Sequence, residues 1–138
     1  MNAHYGFSGH AFDIDGHTTL RQNRATENRI GIGVYDGIDL IGNTVDHNDS
    51  DEIVIFDGST MVTTIKWNNI YGNDRHPGVN CRLANLTDNT VNASQNYWGS
   101  PNGPGPDPAD EACDGSGTLA PVTPFVPTPF PLPTVCAR

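Results

Sequence analysis

Three aspartates, each followed by glycine, recur 21 residues apart along the chain, at Asp15, Asp36 and Asp57. If the segments between them stack on one another, the three carboxylates form a column at the strand spacing of a sheet. Carboxylates that close repel one another unless a cation lies between them or they spread into water. Ca²⁺ binds several carboxylate oxygens, so the column is a candidate Ca²⁺ site. Asp-Gly is also a favoured turn dipeptide, so turn formation alone is the competing interpretation.

Two aromatic residues, Trp67 and Tyr71, are candidate contacts for a glycan, because aromatic rings offer a large apolar surface with a polar edge. Side-chain alternation directs Trp67 outward if Ile65 points inward, or else places it at a corner. Stacking on a sugar ring and packing at a corner therefore both remain open for Trp67.

The remaining ionisable residues follow no spacing that is typical of a catalytic or metal site. The five histidines are scattered, without metal-ligand spacing. The dense acidic stretch from Asp46 to Glu52 lacks the central glycine and spaced ligands of a Ca²⁺ loop, and it predicts a solvated bend. Apart from the Ca²⁺ alternative above, the sequence indicates no cofactor.

The charge balance excludes several classes of partner. The chain has sixteen acidic and seven basic residues, which gives a formal net charge of −9. This balance argues against nucleic acid, whose phosphates need Lys and Arg, and against an anionic membrane surface. The longest purely apolar run is Ile53 to Phe56, so we expect no membrane span. No basic region followed by an apolar stretch is seen at the N-terminus, so no signal peptide is visible.

Short apolar segments that would support these side chains recur along the chain. They alternate apolar and polar residues, as half-buried strands do. The segments begin 20, 21 and 26 residues apart, at Phe12-Asp13-Ile14, Ile32-Gly33-Val34, Ile53-Val54-Ile55 and Val79-Asn80-Cys81. This period predicts coils of about 20–25 residues whose equivalent strands stack in parallel.

An asparagine repeat runs in phase with these segments. Its leading members are Asn23, Asn43, Asn68 and Asn89. An apolar residue stands three positions before each of them, at Leu20, Leu40, Ile65 and Leu86. Asparagine tolerates the left-handed backbone of sharp turns, and its amide can bond the asparagine one coil away. The two repeats together predict an all-β solenoid with an asparagine ladder and an inward apolar column.

The end of the repeat resembles a known family. The residues that carry the resemblance are Asn96, Tyr97, Trp98, Gly99, Gly103 and Pro104. They are similar to the closing motif of the right-handed parallel β-helix repeat family, whose coils also carry Asn-x-Ile-x-x-Asn units. The resemblance implies a right-handed parallel β-helix of about four coils. We expect Tyr97 and Trp98 to cap the last coil, and stacking of these two rings on sugars is the alternative. The resemblance also implies an extracellular or cell-surface location of bacterial type and a polysaccharide context.

All eleven prolines lie at Pro77 or later, so the composition changes along the chain. We expect coils and cap over residues 1–99 and a Gly/Pro-rich tail over residues 100–138. Phe125 and Phe130 predict a tail that packs on the helix, and a linker is the alternative. Cys113 and Cys136 bracket the tail and could form a disulfide, although sequence alone does not fix connectivity. Cys81 is expected to be a small buried hydrophobe.

Two functions are compatible with these patterns. The preferred one is a non-catalytic β-helix module, structural or glycan-binding, that is a fragment of a longer extracellular protein. The alternative is the C-terminal part of a polysaccharide-acting enzyme such as a lyase, hydrolase or epimerase. Family analogy alone does not decide between them. An open first coil would also expose a sheet edge, which predicts self-association through that edge.

Overall fold

The computed structural model describes residues 2–3, 9–16, 18–56, 64–72, 81–105, 111–114 and 122–132. Within these ranges the chain is all-β and contains no helix. Accordingly, the described part of the chain offers no helix that could span a membrane. The strands of these ranges are β1 (Asn2–Ala3), β2 (His10–Ile14), β3 (Thr18–Arg21), β4 (Arg24–Thr26), β5 (Ile30–Val34), β6 (Ile38–Ile41), β7 (Thr44–Asp46), β8 (Ile53–Ile55), β9 (Thr64–Lys66), β10 (Asn69–Tyr71), β11 (Cys81–Asn85) and β12 (Glu111–Asp114).

The strands form three sheets in which every pairing is parallel. Sheet A has the order β1-β4-β7-β10, sheet B the order β12-β11-β8-β5-β2, and sheet C the order β3-β6-β9. From β2 to β10 the chain passes through sheets B, C and A three times in that order. We name these passages repeats 1 to 3, and β11 begins repeat 4. This parallel arrangement is compatible with the predicted solenoid.

The predicted period is confirmed in the register of the first three repeats. Ile32 pairs with Phe12 on one side and with Ile53 on the other. Leu40 likewise lies between Leu20 and Ile65 in sheet C. Residues about 20 positions apart therefore lie side by side in one sheet.

Alternate residues of the strands point inward and form columns of apolar side chains. Most members of these columns are fully buried: Ile32, Val34, Ile38, Leu40, Val45, Ile53, Ile55, Ile65, Ile70 and Leu83. Burial of each such side chain contributes roughly 1.5–3 kcal/mol before the cost of ordering the chain is subtracted. β-Branched residues dominate the columns because they pack well on a pleated surface.

The fourth repeat starts later than predicted. β11 begins at Cys81, and Ile53 pairs with Leu83, 30 residues on, so the predicted alignment of Val79 with Ile53 is wrong. Val79 and Asn80 lie outside the described residues. The prediction failed because the chain between repeats 3 and 4 is longer than the chain between earlier repeats, which shifts the pattern without ending it.

The predicted inward position of Leu86 is also wrong, since this side chain is 43% exposed. Ala93 is fully buried instead and continues the column that contains Ile65. The amide of Ile65 donates to the carbonyl of Asn92 at 2.8 Å, which sets this register. Ala93 stands three positions before Asn96, so the predicted spacing holds at a different asparagine.

An asparagine ladder runs along the corner between sheets C and A. Its members are Asn23, Asn43, Asn68 and Asn96, and each backbone N–H of the first three donates to the next side-chain oxygen, at 3.0, 2.8 and 2.9 Å. The side-chain amides of Asn43 and Asn68 donate in turn to the next oxygen at 3.1 Å. Asn96, and not Asn89 as predicted, is the fourth member. Asn89 instead belongs to the turn after β11, where its carbonyl accepts from the Asn85 side chain.

Each ladder asparagine follows a residue in the left-handed backbone region. These residues are Gln22, Gly42, Trp67 and Gln95, with φ of 53°, 67°, 58° and 63°. The left-handed conformation turns the chain sharply from sheet C into sheet A. Glycine adopts this conformation without steric cost, whereas the other three residues bear a penalty from their Cβ atoms.

The described part of the tail, residues 122–132, packs on the repeats. Gln95 donates its amide to the Pro124 carbonyl, and Val126 donates its amide to the Asn96 carbonyl. Phe125 packs on the core cluster, and a Cβ at Gly103 would meet its ring at 2.5 Å. Gly103 also has φ of 86°, so this position needs glycine for two reasons. Trp98 is fully buried in the same core cluster.

The disulfide joins Cys81 to Cys113, so the predicted pairing of Cys113 with Cys136 is wrong. Cys81 is likewise a cross-linked, half-buried residue and not a free buried hydrophobe. The physical reason is that β12 adds to sheet B beside β11, which brings the two Cα atoms to 5.5 Å. Sequence spacing could not reveal this strand pairing. Cys136 lies outside the described residues.

Candidate functional site

The predicted aspartate column is out of register. Strand β2 pairs with β5 at an offset of 20 residues, and Tyr35 donates its amide to the Ile14 carbonyl. Asp15 therefore aligns with Tyr35, and not with Asp36. Asp36 stabilises the turn in which it lies, since its Oδ1 accepts the Gly37 amide at 2.7 Å. Asp57, the third member, lies outside the described residues.

A metal site finds no further support in the described ranges. No group of three or more His, Cys, Asp or Glu side chains gathers there in a way that could hold a metal ion. Asp15 is exposed and Asp36 is half-buried at the end of its strand. Among these residues, the Asp-Gly dipeptides act as turns.

An aromatic stripe that the sequence analysis missed occupies the position next to these turns on sheet B. Tyr35 and Phe56 stack with ring centroids 4.6 Å apart and planes 10° from parallel. Tyr35 is 42% exposed. The exposed Leu86 lies beside Phe56 on the next strand, since the Leu86 amide donates to the Ile55 carbonyl. The signal in the sequence was an aromatic residue before each of two Asp-Gly pairs.

Trp67 lies at the corner between sheets C and A and is 46% exposed. Its backbone is left-handed, which is an outlier for a bulky residue. Its neighbours in the corner column are Gly42, which has no side chain, and Gln95. The ring is thus held outward at an energetic cost to the backbone, with amide side chains in the same column.

The most completely constrained group of polar side chains lies on the outer face of sheet A. Asp46 is fully buried, and it aligns with Thr26 on one side and Tyr71 on the other. Arg24 binds both carboxylate oxygens, from Nε at 3.0 Å and from Nη2 at 2.7 Å. This forked hydrogen bond to the carboxylate raises the pKa of the Arg24 guanidinium above its ordinary value.

His47 completes this group. Its Nδ1 lies 2.9 Å from Asp46 Oδ2, and its side chain is 56% exposed. Its ring also lies over Gly72, where a Cβ would come within 2.9 Å of the imidazole. Like Trp67, His47 has a left-handed backbone, with φ of 56°. A carboxylate, a glycine and the local backbone therefore fix the direction of the imidazole.

Tyr71 borders the imidazole, and Tyr97 borders Tyr71 in turn. The Tyr71 ring meets His47 edge-on at 6.1 Å and meets Tyr97 edge-on at 5.9 Å. Burial raises the pKa of the Tyr71 hydroxyl, and the nearby Asp46 carboxylate raises it further. Tyr71 consequently keeps its proton at neutral pH and remains a hydrogen-bond donor. We name Arg24, Asp46, His47, Tyr71 and Tyr97 the sheet A cluster.

The prediction that the acidic stretch from Asp46 to Glu52 forms a solvated bend is wrong for three of its side chains. Asp46, Asn48 and Glu52 are fully buried, and the side chains of Asn48 and Glu52 bond one another. One part of this arrangement is visible in the sequence. Asp46 follows the inward-facing Val45 at the end of a strand, so alternation predicts that the Asp46 side chain faces outward, beside the outward residues of the neighbouring strands. The sequence shows no sign of Arg24, whose contact spans 22 residues.

The two residues predicted as glycan contacts lie on different elements. Trp67 occupies the corner, while the ring contacts of Tyr71 are with His47 and Tyr97. Between them in the sequence lies Asn69, the first residue of β10, whose side chain accepts the Phe130 amide at 2.8 Å and donates to the Phe130 carbonyl at 3.0 Å. The tail therefore crosses sheet A between Trp67 and Tyr71.

Comparison of this chain with protein-family models, with curated proteins and with solved structures gave no match.

Proposed function

We propose that the chain forms an extracellular right-handed parallel β-helix that binds a glycan without transforming it. Three parallel sheets visited in a fixed order support this winding. Crossovers between parallel strands of one sheet are right-handed in about 98% of cases, which supports the handedness. The disulfide between Cys81 and Cys113 supports an oxidising compartment.

The exposed ring of Trp67 on a left-handed backbone is the observation that carries the binding proposal. Burial does not explain its presence, because almost half of its surface meets solvent. Backbone preference does not explain it either, because glycine would be less strained at that φ. Strained residues of this kind cluster at functional positions, and aromatic rings beside amides suit sugar rings and hydroxyls.

Tryptophan fluorescence tests the proposal directly, because the chain has two tryptophans and Trp98 is fully buried. The Trp98→Phe variant leaves Trp67 as the single reporter. We expect neutral polysaccharides such as glucans, xylans or mannans, screened one at a time, to change its emission saturably. The second assay is retention of the chain in gels that contain the same polymer.

The Trp67→Gly variant provides the matched test, since glycine suits the backbone there. It should fold at least as well as the parent and lose retention by tenfold or more. A Tyr35→Phe variant on sheet B serves as the control and should retain binding. Unchanged retention of Trp67→Gly across the panel would refute Trp67 as the contact.

A polysaccharide-acting enzyme is the second candidate, and the buried Asp46 that orients an exposed imidazole favours it, since such pairs perform acid–base chemistry. Incubation with uronate polymers and Ca²⁺ separates the two candidates. Absorbance from unsaturated products would establish a lyase. Retention of a polymer without any product would leave the binding module.

Self-association is a further part of the proposal. Strand β2 lies at the outer position of sheet B, and unpaired strand edges template pairing with another chain. Sedimentation at increasing protein concentration would reveal it, and a single concentration-independent species would exclude it.

A further inference from the structure

The contact between His47 and Asp46 determines which imidazole nitrogen remains available to a ligand. Asp46 Oδ2 faces Nδ1 at 2.9 Å, and a carboxylate that is already bound by Arg24 carries no proton to donate. Nδ1 must therefore carry the hydrogen of this bond. In the neutral ring Nε2 then holds a lone pair, so it is an acceptor, and the imidazole side chain that carries it is 56% exposed.

The polar groups of the sheet A cluster complement a hydroxyl-bearing ring. A neutral His47 offers an acceptor at Nε2, the protonated Tyr71 hydroxyl is a hydrogen-bond donor, and the half-buried rings of Tyr71 and Tyr97 offer apolar surface. All of these groups sit on paired strands or beside them, so little ordering is needed on binding. Acceptor, donor and aromatic edge together are what a sugar requires.

The charge of the cluster selects among sugars. Arg24 and Asp46 neutralise one another, and an imidazole in its neutral form adds no charge. The chain as a whole carries −9, which opposes a polyanion such as a uronate polymer. A neutral sugar fits both the local and the overall electrostatics.

We propose that the sheet A cluster is a subsite for a neutral sugar unit, in which a sugar hydroxyl donates to His47 Nε2, so that protonation of His47 abolishes binding there. The proposal deepens the proposed function but stands on separate residues from Trp67. Among the residues that the structure describes, the titratable groups that surround His47 are Asp46, Arg24 and Tyr71, together with Glu27, whose amide donates to the His47 carbonyl.

The test uses the Trp98→Phe chain with ¹³C-labelled histidine and neutral oligosaccharides, namely cellohexaose, xylohexaose and mannohexaose. The imidazole Cε1–H resonance of His47, assigned with a His47→Asn variant, reports the sheet A cluster, while fluorescence reports Trp67. Titrations are run at about pH 8 and about pH 5, on either side of the pH at which an ordinary imidazole changes charge. We expect one oligosaccharide to shift the His47 resonance saturably at the higher pH, with at least tenfold weaker binding at the lower pH.

His47→Asn also serves as the matched variant. Asparagine suits the left-handed backbone and can still bond Asp46, but it places no atom at the Nε2 position. We expect it to weaken the pH-dependent binding tenfold or more and leave thermal stability nearly unchanged. A Tyr35→Phe control on sheet B should bind like the parent.

The two readouts separate the two proposals. Fluorescence change without any shift of the His47 resonance, for every oligosaccharide, overturns the subsite and leaves the Trp67 proposal standing. A His47 shift without fluorescence change supports the subsite and overturns Trp67. A shift of equal affinity at both pH values overturns the role of the Nε2 acceptor, and silence of both readouts overturns both proposals.

Discussion

The side chain of Asn68 accepts the backbone amide of Asn43 at 2.8 Å, although 25 residues separate the two. Asn68 also donates to the carbonyls of Leu40 and Lys66, at 2.9 and 3.0 Å. One fully buried side chain thus joins three consecutive repeats at the corner between sheets C and A.

Replacement of Asn68 by alanine should therefore lower the free energy of unfolding by roughly 3–5 kcal/mol, because several buried backbone groups lose their partners at about 1–3 kcal/mol each. Urea unfolding followed by circular dichroism measures the loss. Asn23→Ala is the control, since Asn23 is only half-buried and should cost about 1 kcal/mol. Equal losses at the two positions would contradict a dominant role for the middle of the ladder.

The corner column offers a test of backbone strain with opposite expected signs. Trp67→Gly should raise the free energy of unfolding by about 0.5–1 kcal/mol, because it removes a Cβ from a left-handed residue. Gly42→Ala introduces such a Cβ and should lower it by about 1 kcal/mol. Thermal unfolding of both variants provides the comparison. A clear destabilisation by Trp67→Gly would instead favour corner packing.

Tyr71 gives the protein a specific alkaline sensitivity. Its folded-state pKa is raised, so the unfolded chain releases this proton at lower pH than the folded chain. Its contribution to stability is complete below about pH 10, where an ordinary tyrosine begins to ionise, and is lost as pH rises toward the raised value. Tyr71→Phe should flatten the decline of unfolding free energy above that pH. Identical alkaline profiles of variant and parent would contradict the shift.

The disulfide should contribute strongly to stability. It closes a segment with a sequence separation of 32 residues, and loops of that size are stabilised by roughly 3–4 kcal/mol. We expect Cys113→Ser and Cys81→Ser each to lose about that amount, because either replacement removes the same bond. Peptide mapping without reductant should recover Cys81 linked to Cys113. Recovery of Cys113 linked to Cys136 would contradict the structure.

The sequence predicted the first three repeats well because their strands are separated by nearly constant lengths of chain. Ile32 and Ile53 carry the same residue type at the same turn-to-strand distance, so pattern alone aligned them. The prediction of the fourth repeat failed because the chain from Ile53 to its partner Leu83 is longer than the chain between the earlier partners. Asn96 is part of the closing motif as well as the ladder, so the asparagine spacing alone does not single it out as the fourth member.

The polar site was harder to predict for a different reason. An offset of one residue separates Asp15 from the position that aligns with Asp36, and residue identity alone cannot reveal such a slip. The pairing of Arg24 with Asp46 depends on which outward residues of neighbouring strands face one another, which only the register determines. Cys81 and Cys113 meet for the same reason, since the pairing of β12 with β11 decides it.

The asparagine ladder keeps the same spacing whatever the length of the chain between its members. Consecutive rungs are joined by hydrogen bonds across 20, 25 and 28 residues, and the bond lengths hardly change. Each added residue must therefore be accommodated outside the corner. Insertions can accumulate between rungs while the rungs themselves stay in place, which gives such a chain room to diversify its surface by lengthening its connections.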